Sequence, residues 1–179
     1  MEQERTYQVF TDAATGLYDR RTMWARLAEE VSRARRYHYC LSLILVTFDF
    51  RQGDVQAEYI QRLAEGLKRF TRSSDILARY SEDTLALLLP CTDEDGALRL
   101  AQRIRQLATV MLPPAEKGAE APAVHIGVTS TSGDYSGDKI ALVEQVEWAL
   151  RQARSQGPHD RTVVVRATGG SSGWTEATP

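Results

Sequence analysis

Between two apolar runs the chain places Ser81-Glu82-Asp83-Thr84. Two adjacent carboxylates could do chemistry at a site, but two acids flanked by hydroxyls are also the composition of a solvated turn. A tight hairpin turn usually recruits Gly or Asn for positive φ, and neither stands here. The residues alone leave two readings open, an ordinary tip or the remains of a site. Just upstream, Arg72-Ser73-Ser74-Asp75 sets a guanidinium and a carboxylate three positions apart. That pattern recurs at Arg51 to Asp54, and its plain reading is a surface ion pair near a helix end. Cys40 and Cys91 lie beside predicted strands, and His38, His125 and His159 share no ligand spacing with them. Neither a disulfide framework nor a metal pattern is indicated, and a reducing compartment fits.

The elements that position these groups follow from periodicity. Met23, Leu27, Val31 and Ala34 predict an amphipathic helix over 19–37, with Arg33, Arg35 and Arg36 at its solvated end. Cys40 to Phe48 is a continuous apolar run, as in a strand covered on both faces. A helix over Val55 to Phe70 leads into a hairpin spanning Arg72 to Pro90, and a further helix runs from about Asp93 to Met111. Alternation at Val124, Ile126 and Val128 predicts a strand, a last helix runs from Ile140 to Ala153, and Thr162 to Val165 forms a last strand. The order implies a βαββαβ core, an α/β (α+β) mixed sheet covered by helices. With 179 residues, 42% of them hydrophobic, one domain over 11–166 is expected, preceded by a connector over 1–10 and followed by a disordered tail or linker over 167–179. A net charge of −2 gives no footprint for DNA. No apolar run approaches a membrane span and no leader pattern opens the chain, so a cytoplasmic location is expected.

Five landmarks in register resemble the GGDEF domains, the diguanylate cyclase family that makes cyclic di-GMP in bacteria. "DAATGLYDRR" is similar to the family's entry sequence, and "LSLILVTFDF" to a strand ending in D-x-D. "RYSEDTLALLLP" aligns without a gap to R-Y-G-G-D-E-F-x-x-L-L-P, putting Ser81, Glu82, Asp83, Thr84 and Leu85 at the five signature positions. "VHIGV" and "VEWALRQARSQGPHDRTVVV" match the later strand and the terminal segment. The resemblance implies the fold just read and a cyclase site that joins two GTP molecules on Mg²⁺.

This chain departs from that site. The first Asp of D-x-D is Thr47, leaving Asp83 as the one matched metal carboxylate, with Asp49 at the second Asp. Ser81 and Glu82 replace the glycines whose backbone takes phosphates, and Thr84 replaces an acid. The span from Thr47 to Arg72 is roughly two helical turns short of typical members and lacks their guanine-recognition loop. The resemblance therefore implies a degenerate domain without catalytic residues, metal or Mg-GTP. It also implies an inhibitory-type site for cyclic di-GMP at Arg72 and Asp75, completed by Arg103 on the following helix. The expected function is a non-catalytic cyclic di-GMP receptor signalling to a protein partner or absent domain, with a homodimer possible in principle. The alternatives are a nucleotide-independent dimerisation or docking module and an active cyclase using Asp83 and Asp49. Arg154, at a phosphate-contacting Lys of the family, reads as an exposed helix residue, and Trp24 and Trp148 as packing or partner-facing residues.

Overall fold

The computed structural model describes residues 10–49, 56–111, 123–156, 161–167 and 175–176. The 1–9 connector, the Arg51 to Asp54 repeat, His159 and Trp174 lie outside them. In chain order the elements are α1 (Arg20–Tyr37), β1 (Leu41–Asp49), α2 (Gln56–Phe70), β2 (Ile76–Arg79), β3 (Thr84–Pro90), α3 (Glu94–Met111), β4 (Ala123–Thr131), α4 (Lys139–Ser155), β5 (Arg161–Ala167) and β6 (Thr175–Glu176). The sheet order is β2-β3-β1-β4-β5-β6, with β4–β5 parallel and every other pairing antiparallel. The expected mixed sheet covered by helices is present.

β1 is central because both its faces are apolar. Ile44, Val46 and Phe48 pack with α2 and α3, while Leu41, Leu43 and Leu45 pack with α1 and α4. β4 departs from the alternation expected of a half-exposed strand, since all nine of its residues are buried. Helices cover both faces, so the hydroxyls among them must find partners inside. Thr131 exchanges hydrogen bonds with the Leu41 backbone, and Thr129 donates to Gln145. Gly127 lets α4 approach, for a Cβ there would stand 2.5 Å from the Leu150 amide nitrogen and 2.6 Å from the Val146 carbonyl oxygen.

α1 begins where Asp19 accepts from the Thr22 amide at 2.7 Å and ends at His38, a left-handed cap with φ 54°. Asp19→Ala is expected to cost about 1 kcal/mol in urea denaturation. Arg35 at that end is not purely solvated, because it donates to the Ser136 and Gly137 carbonyls. Trp24 and Trp148 pack against the core as expected.

Two boundaries need correction. Phe10, assigned to the connector, is bonded in both directions to Thr22 and so belongs to the domain. The tail assigned to 167–179 includes Ala167, which is buried in β5, and Thr175–Glu176, which pairs with Val165 and Arg166. Strand pairing satisfies backbone groups along an open sheet edge and needs no apolar side chains, so composition does not reveal it.

Candidate functional site

Two groups of polar side chains sit at opposite ends of the β2–β3 hairpin. The first is the turn and its neighbours. Thr84, expected in the turn, is the first residue of β3, because it pairs with Thr47 and its carbonyl takes the Tyr80 and Ser81 amides at 2.8 and 3.1 Å. Thr47 also pairs with His125, so one cross-strand row runs Thr84, Thr47, His125. Asp49 lies two residues on, on the same face, under the last turn of α4.

Asp83 and Asp49 are brought together there by Arg154. Its guanidinium lies 3.1 Å from Asp49 Oδ1 and 3.7 Å from Asp83 Oδ2. The remaining carboxylate oxygens are also engaged. His125 Nε2 donates to Asp49 Oδ2 at 2.8 Å, and the Ser81 and Thr84 hydroxyls donate to Asp83 Oδ1 at 2.8 and 2.9 Å. Thr47 donates to the Asp83 carbonyl at 3.1 Å. Arg154 is thus an ion-pair bridge rather than a bare exposed helix residue. His125, assigned no chemistry from spacing, is fully buried against Asp49, and among the described residues its Nδ1 has no hydrogen-bond partner. Only register reveals it: His125 faces Thr47 across the strands, a relation no local motif encodes.

Burial pushes the Asp83 carboxyl up, but hydrogen bonds from Ser81 and Thr84, the Thr47 hydroxyl and the Arg154 charge outweigh it and hold the pKa below the ordinary 3.8. A depressed folded-state value contributes stability that is present above pH 3.8 and lost as pH falls through the lower folded value. Asp83→Asn should therefore lower stability at neutral pH by under about 1 kcal/mol, with the gap closing below about pH 4 in urea melts.

The donors around Asp49 and Asp83 come from the protein itself. Thr47 is neutral, three of the four oxygens of Asp49 and Asp83 accept a hydrogen bond while the fourth, Asp83 Oδ2, faces Arg154 at 3.7 Å, and among the described residues no three His, Cys, Asp or Glu side chains gather as ligands. Arg79 holds the turn from the other side, donating to the Ser81 and Glu82 carbonyls and lying 3.4 Å from Asp12. Glu82 and Leu85 take no part in the ion cluster, and Leu85 is core.

The second group is Arg72, Asp75 and Arg103. The surface ion pair expected between Arg72 and Asp75 is not what forms. Asp75 Oδ2 accepts the Arg72 backbone amide at 2.7 Å while the Asp75 amide returns a bond to the Arg72 carbonyl at 3.0 Å, closing a turn that leads into β2. Two consequences follow. Among the described residues the exposed Arg72 guanidinium has no ion pair, and Asp75 Oδ1 is buried without a donor. Arg103, on α3, lies with its guanidinium 5.1 Å from the ring centroid of Phe70, the last residue of α2 and two positions before Arg72. The Phe70 stack aims Arg103 toward the C-terminal end of α2. Phe70 is 42% exposed and gave no signal in the sequence beyond its helical spacing.

Comparison with known proteins gives a matching family model, described as diguanylate cyclase, GGDEF domain, over residues 9–160. The chain is 29% identical over 164 residues to the response regulator PleD of Caulobacter vibrioides, covering 87% of this chain and 35% of that protein. It is 30% identical over 172 residues to the diguanylate cyclase DgcM of Escherichia coli, covering 88% and 39%. The chain thus spans little more than a third of these relatives. Among solved structures, the GGDEF domain of DgcB from Caulobacter crescentus in complex with c-di-GMP superposes with a TM-score of 0.74 at 17% identity, covering 87% of this chain and 92% of that one.

Proposed function

The chain belongs to the GGDEF domain family of diguanylate cyclases, and from that premise we propose that this member is a non-catalytic receptor for cyclic di-GMP, acting through Arg72, Asp75 and Arg103. The observation that carries the proposal is one closed turn in which, among the described residues, the Arg72 guanidinium has no ion pair and Asp75 Oδ1 has no donor. An arginine fork donates to the O6 and N7 edge of guanine, and a carboxylate oxygen accepts from its N1 and N2 hydrogens. A buried acceptor without a donor is costly, so a ligand donor that reached Oδ1 as the turn opened would be favoured there. Arg103, stacked on Phe70 two positions before Arg72, would supply a second fork to the ligand. The DgcB domain in complex with c-di-GMP has the same fold, which makes the ligand class a reasonable one to test.

The other end of the hairpin supports an absence of turnover. In-line attack of a 3′-hydroxyl on an α-phosphate needs a cation on carboxylates and backbone amides open to the phosphates. Here the two carboxylates are bound by protein donors, and Ser81 and Glu82 stand where glycines would open the backbone. The messenger would act by stabilising one geometry of the hairpin, read by a partner protein or another domain in the cytoplasm of a bacterium. No helix among the described residues is long and apolar enough to cross a membrane.

The test is calorimetric titration with cyclic di-GMP, beside incubation with GTP and Mg²⁺. Binding at micromolar or tighter, about 8 kcal/mol, with no dinucleotide product is the expected result. Dinucleotide formed above an Asp83→Asn control would make the protein a cyclase. Silence in both would leave a docking module.

A further inference from the structure

We propose that the turn end of the hairpin is a self-contained ion latch, in which Arg154 does for Asp49 and Asp83 what a divalent cation would do. The hairpin is then docked on α4 without metal or nucleotide. The proposal concerns a site distinct from the Arg72 turn and does not depend on ligand binding there.

The latch is assembled from four elements. Asp49 ends β1, Asp83 lies in the turn between β2 and β3, His125 comes from β4 and Arg154 from the last turn of α4. A planar guanidinium with five donors can face two carboxylates at once, which an ammonium at one point cannot do as well. Its position at the C-terminal end of α4 also suits its charge, because the helix dipole is negative there. His125 locks Asp49 from below: with Nε2 donating to Oδ2, Asp49 presents Oδ1 to Arg154. Two helical turns back on α4, Glu147 accepts from the Tyr80 hydroxyl at 2.5 Å, and Arg20 donates to the same hydroxyl at 3.3 Å while lying over the Tyr80 ring. The residues on both sides of the turn, Tyr80 and Asp83, are therefore tied to the same helix at two heights. Two carboxylates that would repel each other are held close by a cation that cannot dissociate, whereas a bound metal would leave the contact dependent on its concentration.

Arg154 is about half exposed, so its replacement should fold, and the latch can be read directly. The Tyr80 and Ser81 amides, both bonded to the Thr84 carbonyl, report on the turn by hydrogen exchange. In Arg154→Ala their exchange should accelerate about fivefold to tenfold, and Arg154→Lys should fall between the variant and the parent. Adding Mn²⁺ to the unaltered protein, or removing metals with a chelator, should change neither exchange nor melting temperature. Unchanged exchange in Arg154→Ala would overturn the proposal, as would Mn²⁺ binding by the unaltered protein that disappears in Asp83→Asn. These readouts use no cyclic di-GMP, so the latch and the receptor reading stand or fall separately.

Discussion

Replacing Asp75 by asparagine should weaken cyclic di-GMP binding by about tenfold to a hundredfold while leaving stability within about 0.5 kcal/mol. The two effects separate because Asp75 does two things. One oxygen closes the turn by accepting the Arg72 amide, and an asparagine carbonyl can still do that. The other oxygen is the buried acceptor without a donor, and an asparagine amide group there offers hydrogens where guanine N1 and N2 offer hydrogens too. Arg72→Ala should cost a similar factor, since bidentate pairs of this kind are worth about 1–3 kcal/mol when shielded from water. Arg103→Ala follows in the same direction. Calorimetry on the three variants checks the set, and affinity unchanged in both Asp75→Asn and Arg72→Ala would defeat the receptor reading.

The largest stability effect is expected at Gly127. An alanine Cβ there would meet backbone atoms of α4 at 2.5 and 2.6 Å, well inside van der Waals contact. Neither atom belongs to a side chain that can swing aside, so the whole helix must lift from β4 or the strand must bend. Gly127→Ala is expected to destabilise by about 3 kcal/mol, near the upper end for overpacked cores, and to lower the melting temperature by roughly 6–12 °C. Because Arg154 rides on the same helix, the Tyr80 and Ser81 amides should also lose protection in this variant. Stability within about 0.5 kcal/mol of the parent would mean that α4 is looser on the sheet than its packing indicates.

Much of the architecture is legible in the residue order. Apolar spacing at Met23, Leu27 and Val31, the unbroken run of β1 and the alternation in β4 each carry their period locally, so element type follows from short windows of sequence. Membership of the GGDEF family is legible for the same reason: its landmarks are short segments in a fixed order. The Arg72 turn is legible as a pattern, Asp75 and Arg72 being three residues apart. What those groups do was not. An Arg and an Asp at that spacing suggest an ion pair, and the backbone amide of Arg72 competes successfully for the carboxylate because it is held in place by the turn.

Tertiary structure alone decided the rest. Asp49, Asp83, His125 and Arg154 are drawn from four elements spread over more than a hundred residues, and they meet because β1 pairs with β3 and β4 in one register while α4 settles over Gly127. Sliding either pairing by one residue would turn His125 or Thr84 to the opposite face and dissolve the cluster. Phe70 and Arg103 likewise meet only because α2 and α3 cover the same face of the sheet. Local sequence thus determined which segments form helices and strands and which family they compose. Long-range packing decided which charges neutralise one another, since the partner of a charge is set by distance in space and not along the chain.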